Sequence, residues 1–291
     1  MVALMAKKNL FSYLLITPLL LITVVFIIYP LITTVIDSFR SVNLMKPNDI
    51  GFIGTGNYTE LLNDITNMQT MRNNCLYFVF SIIIETAGGL IVALALKNNF
   101  RSRALLLAVI ILPWALPPVV NGLIWKLIYY PSSGLLNDLL LKADIIGSPK
   151  IWMGMPQYSI FLITIVHAWK IIPLCTLIIL AQLQSIDKDL YEAVKIDGAN
   201  GLQEFRHITL PMLKPALAVS LTLGAIFAFQ LFDEIYVLNG TALDTRSVLI
   251  QAYLLAFRDL KVSLGMALSL IAMIVTLAIT TLINRLGVKH Y

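Results

Sequence analysis

The sequence predicts an all-α integral membrane protein of six transmembrane helices, and three observations carry that reading. Of the 291 residues, 58% are hydrophobic and 13% charged, against about a quarter charged in a soluble domain, and the mean hydropathy is +0.84. Apolar runs of the roughly 20 residues that cross a bilayer core recur near 11–36, 75–97, 104–130, 158–183, 213–238 and 263–285. One polar stretch, 184–215, separates the fourth run from the fifth and is long enough to fold outside the membrane. A single transmembrane domain over 1–291 accounts for the length.

Lys7 and Lys8 precede the first run as they would in a signal peptide, but no small-residue cleavage site follows, so that run is read as a helix that stays. An even number of spans puts both termini on one side. Lys7, Lys8, Lys97, Arg101, Arg103, Lys188, Lys195, Arg206, Lys214, Arg285 and Lys289 then share that side, mostly in short segments. The positive-inside rule assigns it to the cytoplasm. Arg40, Lys46, Arg72, Lys142, Lys150, Arg246, Arg258 and Lys261 lie opposite, spread over longer loops. The net charge of +5 is therefore orientation signal, not a nucleic-acid surface.

The segment 39–74 is external on this topology, with a short helix over 57–62 capped by Asn57. The third run contains Pro113, Pro117, Pro118 and the pair Asn121-Gly122, so its backbone cannot be uniformly helical. Such breaks persist in a membrane only beside protein or a watery cavity, which makes Asn121 a pathway candidate. Tyr129 and Tyr130 suit an interfacial belt or a functional surface, and Trp152 an interfacial anchor. Cys75 and Cys175 fall in or beside apolar runs, as packing residues, and support no disulfide framework or metal site.

Two ionisable residues inside the runs need partners. Glu85 and Lys170 fall at depths that agree within a turn at about 1.5 Å per residue, so an ion pair between the second and fourth helices is expected, since an unpaired charge there costs at least ~3 kcal/mol. The alternative is a snorkelling Lys170 beside an uncharged Glu85. On the fifth run, Phe227 and Gln230 lie three apart near mid-membrane. An aromatic face for C–H surfaces and an amide for hydroxyls suit a sugar, while packing remains the commoner use of such a Phe.

The polar stretch reads as two amphipathic helices with a bend. Asp187 caps the first, Leu190, Ala193 and Val194 share a face, and Gly198 permits the left-handed turn. Asn200 caps the second, with Gln203 at the capping-box position and Leu202 and Phe205 on its apolar side. This elbow is a docking element.

Glu192-Ala193-Val194, three residues, Gly198, nine residues and Ile208-Thr209-Leu210-Pro211 resemble the EAA loop of ABC-importer permeases, with Val194 in place of the third Ala. The fragments Phe52-Ile53-Gly54 with Asn57-Tyr58, Trp125 through Gly134-Leu135-Leu136-Asn137, and Leu264-Gly265-Met266-Ala267 resemble the carbohydrate-importer branch of maltose and glycerol-phosphate type. Asp187 stands where that branch often has Pro. The resemblance runs from Tyr13 to Leu286 and implies a type I ABC-importer permease subunit in a prokaryotic inner membrane. It implies a second, different permease chain, an extracytoplasmic solute-binding protein, and two ATPase subunits that bind ATP and Mg. It also implies ATPase coupling through Glu192, Ala193, Gly198, Leu202, Phe205, Ile208 and Pro211.

What the chain lacks agrees with that division of labour. No Gly-Lys dipeptide occurs, so no P-loop can form, and neither H-E-x-x-H nor G-x-S-x-G is present. No cofactor of its own and no catalysis are expected. The competing class is an ion-coupled six-helix secondary transporter or channel, which needs intramembrane carboxylates along an ion path and has no use for the elbow.

Overall fold

The computed structural model describes residues 14–45, 50–98 and 100–287. Lys7, Lys8, Lys46, Lys289 and the start of the first run lie outside them. The chain forms two compact units, one of residues up to Asp64 with Ala252–Ile271, the other of Ile65–Gln251 with the residues from Ala272 on. Among the described residues five helices are long and apolar enough to span a membrane, or six if a pair bent by 100° counts as one broken span.

In the first unit, α1 (Leu14–Ser38) is apolar and mostly exposed up to its last turn, the surface expected of a helix solvated by lipid. α2 (Gly56–Asn63) follows a loop that Asn57 organises. Its amide donates to the carbonyls of Ser38 at 2.7 Å and Arg40 at 2.8 Å, and Tyr58 hydroxyl meets Ser38 Oγ at 2.7 Å. Asn57 therefore does not cap α2; Thr55 occupies that position without a side-chain bond. The amide was needed more by the buried chain behind it than by the helix start. Lys261 Nζ lies 3.1 Å from Glu60, and Val42 N–H donates to Ser263 Oγ at 3.1 Å.

The second unit is built on α3 (Ile65–Ala95), α4 (Arg103–Ala115), α5 (Pro118–Ile128), α6 (Leu135–Lys142) and α7 (Pro156–Ser185). α8 (Lys188–Ile196), α9 (Gly201–Phe229) and α10 (Asp233–Asn239) follow; α11 (Val248–Arg258) and α12 (Val262–Gly287) come next along the chain and are divided between the units, residues 252–271 belonging to the first. α3 and α7 form the most extensive pair, α9 packs on both, and α10 packs on α5. The close approach of α3 to α7 needs glycine: a Cβ on Gly89 would stand 2.6 Å from Cys175 Cβ.

Three expectations change. The second transmembrane helix begins at Ile65, not near 75, because the polar residues Asn67, Asn73 and Asn74 are buried and bonded inside the unit. Asn73 donates to the carbonyls of Leu243 and Arg246, Asn74 accepts from Val248 N–H, and Asn67 accepts from Gln251. The fifth run is not one helix: α9 stops at Phe229, Phe232 leaves helical geometry at φ −136° and ψ −62°, and α10 restarts at Asp233. Asp233 and Glu234 fall in the first turn of α10, where the helix dipole favours acids. The aromatics differ too. Tyr129 is buried and donates to Leu162 carbonyl at 3.2 Å, Trp152 is buried, and Tyr130 alone of the three is exposed.

The third run breaks between α4 and α5 at Leu116-Pro117 with the 100° bend. Leu116 is extended, as the residue before proline must be, and Pro118 opens α5 where its missing N–H is no loss.

Candidate functional site

The elbow is fixed to the bundle through its inner face. Asp187 accepts from Asp189 N–H at 3.1 Å to start α8. Gly198 ends it at φ +78°, with Ala199 N–H donating to Val194 carbonyl. Asn200 and Gln203 make both halves of a capping box at 3.0 and 2.8 Å. Beyond Glu204 the second short helix does not stop. It passes through a π turn, Phe205–Thr209, into the rest of α9, so Phe205, Ile208 and Pro211 belong to a transmembrane helix and not to a separate segment. Pro211 has no N–H to give the preceding turn, and the wider turn is one way to accommodate the loss.

Tyr191 is the buried residue of α8. It packs with Ala93, Leu96, Ile179, Leu183, Ile186 and Leu213, which joins the elbow to the ends of α3, α7 and α9. Its hydroxyl lies 3.3 Å from Thr209 Oγ1, and Lys97 Nζ stands 3.7 Å above its ring and 3.6 Å from Glu204 Oε1. The opposite face is bare. Leu190, Ile196 and Leu202 are 43%, 86% and 75% exposed, and Glu192, Ala193 and Gly198 are exposed beside them. Phe205 and Ile208 are half-buried. Three large apolar side chains on a charged, membrane-adjacent elbow are the surface of a protein that expects a partner. Beneath it a cavity of about 540 Å³ is lined by Lys97, Arg103, Lys188, Lys195, Glu192 and Glu204.

The predicted Glu85–Lys170 pair does not form. Glu85 faces His167, with Oε1 3.5 Å from Nε2, and the other ring nitrogen, Nδ1, lies 3.7 Å from Glu234 Oε1. The register explains the exchange. Gly89 against Cys175 sets α3 on α7, and His167, Ile171 and Cys175 form a buried i, i+4, i+8 stripe, whereas Lys170 sits off that stripe and is half-buried. Gly224 of α9 leaves room for the carboxylate, since a Cβ there would lie 2.8 Å from Glu85 Oε2. Asn121 is fully buried next to this cluster in sequence register, donating to Val166 carbonyl at 3.1 Å. Phe227 is half-buried in the last turn of α9, and Gln230 is exposed at the break after it, not on a continuous helix.

Sequence reasoning missed Tyr191, Ile196, His167 and Glu234. The 167–171–175 stripe was readable from helical spacing; the partner that Glu234 finds depends on the break at Phe232, which no local signal announced.

A bundle of membrane-length helices with a broken third span and a polar elbow bolted across its end defines a multi-pass transport subunit. The model of the family described as "Binding-protein-dependent transport system inner membrane component" matches residues 86–288. The trehalose/maltose transport system permease protein MalF of Thermococcus litoralis is 37% identical over 95% of this chain and 93% of its own. The arabinooligosaccharides transport system permease protein AraP of Bacillus subtilis is 31% identical over 97% and 90%. Among solved structures, a chain of a bacterial ABC transporter involved in the import of the acidic polysaccharide alginate superposes with a TM-score of 0.84 at 20% identity, over 97% of this chain and 96% of that one. The chain belongs to the family of binding-protein-dependent inner-membrane transport components, and its fold is that of a type I ABC-importer permease. Members of this family are transporter subunits, not enzymes.

Proposed function

We propose that the chain is one of two different permease subunits of an ATP-driven importer that brings a sugar or sugar-like solute into the cytoplasm. The observation that carries the reading is the elbow: an exposed apolar face of Leu190, Ile196 and Leu202 on a base held by Tyr191 and Lys97. Two ATPase subunits bind ATP and Mg and receive that face, Glu192 meets a basic or polar group on them, and Gly198 provides the bend. Closure of the ATPase pair then moves the elbow, and the elbow gives α3, α7 and α9 the same two-state preference. This chain's residues supply the lever and the path, and hydrolysis belongs to the partners. Both termini lie in the cytoplasm, and a solute-binding protein delivers from the other side.

Substrate class is supported by the relatives, one named for trehalose and maltose and one for arabinooligosaccharides. The alginate system was also solved in complex with an alginate pentasaccharide-bound periplasmic protein. Asn121, Phe227 and Gln230 are retained as pathway residues, with Gln230 exposed at the break between α9 and α10 as the group best placed to meet a passing hydroxyl. Affinity purification of the tagged chain from its native membrane tests the assembly. An ATPase and a second permease in stoichiometric amounts are expected; a homo-oligomer with uptake driven by an ion gradient would overturn it.

A further inference from the structure

At the end of the second unit opposite the elbow, the first turns of α3 and α7 leave a half-open cleft of about 560 Å³. Its α3 wall is a single stripe, Gln69, Arg72, Asn73, Leu76 and Phe80, and its α7 wall includes Gln157 and Phe161. Phe80 and Phe161 meet edge to face with centroids 5.8 Å apart and an 85° interplanar angle, and they form an aromatic floor. Asp244 reaches the rim from the loop before α11.

That rim is built, not incidental. The loop carrying Asp244 is pinned to α3 on both sides: Asn73 holds the carbonyls of Leu243 and Arg246 at 2.9 and 3.1 Å, and Tyr77 hydroxyl donates to Thr245 carbonyl at 2.9 Å. Asn73 is consumed in this bracing. By contrast, the side chains of Gln69, Arg72, Gln157 and Asp244 make no hydrogen bond or ion pair among the described residues. Two amides, one guanidinium and one carboxylate thus surround an aromatic floor with their hydrogen-bonding capacity unspent.

The chemistry selects the ligand. Arg72 and Asp244 cancel, so the rim has no net charge to hold an anionic headgroup, and four free polar groups are poor company for an acyl chain. An uncharged ring with C–H faces and several hydroxyls satisfies both the floor and the rim, and the volume falls in the range of small-molecule sites, about 300–1,000 Å³. We propose that this cleft is a saccharide site, separate from Asn121, Phe227 and Gln230, that takes one neutral sugar residue of the incoming solute before it enters the bundle. The inference rests on the importer reading above.

The test uses the assembled transporter in lipid nanodiscs and in proteoliposomes, with trehalose, maltose and arabinotriose as probes. Saturation-transfer NMR on the wild type should show contact with at least one of them, and Phe161→Leu and Arg72→Leu should each weaken it while Phe161→Tyr retains it in full. In uptake driven by ATP and the binding protein, the two disruptive variants should raise KM about tenfold, equivalent to ~1.4 kcal/mol, at unchanged amounts of assembled complex. Wild-type uptake with no NMR contact, or with variant KM values equal to the wild type, overturns the cleft and leaves the importer reading intact. Absence of ATP-driven uptake of all three probes by the wild type instead strikes the importer reading and the cleft with it. Native mass spectrometry that finds a phospholipid retained by the wild type and lost in Arg72→Leu, with no sugar effect, also overturns it.

Discussion

Replacing His167 by Leu should destabilise the protein by far more than the loss of one ring's contacts. The imidazole is buried between Glu85 at 3.5 Å and Glu234 at 3.7 Å, groups that come from α3 and α10 while the ring comes from α7. Neither oxygen of Glu85 meets hydrogen-bond geometry with another group among the described residues. When the imidazole is protonated it faces both carboxylates, and removing one member of such a buried pair typically costs 3–5 kcal/mol because its partner is left uncompensated. The expected loss is about 4 kcal/mol in unfolding free energy, read by SDS titration in mixed micelles. Neutralising the partners reverses the argument: His167→Leu with Glu85→Gln and Glu234→Gln should recover at least about 2 kcal/mol relative to the single variant. A single-variant loss under about 1 kcal/mol, or a triple variant no better than the sum of its parts, would refute the cluster as an interacting unit. The parallel substitution Lys170→Met should cost far less, since Lys170 is half-buried and off the contact stripe.

Two further outcomes follow from the elbow. Gly198→Val places a β-branched residue at φ +78°, a strain of about 1–3 kcal/mol. Uptake should be lost while the amount of chain in the membrane, measured by immunoblot, stays normal; normal uptake would remove Gly198 from the coupling path. Lys97→Met deletes both the contact on the Tyr191 ring and the ion pair with Glu204. At about 1 kcal/mol for such a half-buried pair of contacts, amide exchange over 188–204 should quicken about fivefold; unchanged exchange would show that Lys97 does not hold the elbow.

The apolarity of the runs was legible in the sequence because it is a property of local composition, whereas the bounds of the second and fifth runs were not. The proline break of the third run was legible for the same reason, and the caps at Asp187 and Asn200 because a cap is a contact within three residues. What escaped was set by contacts far apart in the chain. Asn67, Asn73 and Asn74 look like loop residues until the 243–251 segment, some 170 positions away, supplies their partners. Glu85 was rightly marked as needing a partner, but depth alone could not separate Lys170 from His167. The two differ by one turn, and the choice belongs to the Gly89–Cys175 contact that sets the rotation of α7. On α8, residues 190, 193 and 194 were read as one shared face; Leu190 and Ala193 are exposed and Val194 is half-buried, but the inward anchor Tyr191 needed the ends of three other helices to be visible. The continuous path from Gly201 to Phe229 was hidden by Pro211, which normally signals a helix start.

The measurement that bears most directly on the account is cross-linking from Leu202, which is 75% exposed on the outward face of the elbow. Leu202→Cys, treated with a short thiol cross-linker in inside-out vesicles, should yield an adduct with a nucleotide-binding subunit, and the yield should change when ATP is added. A thiol at this position labelled only from the opposite side of the membrane, or ATP-driven uptake by a complex in which no such adduct can be trapped, would contradict it.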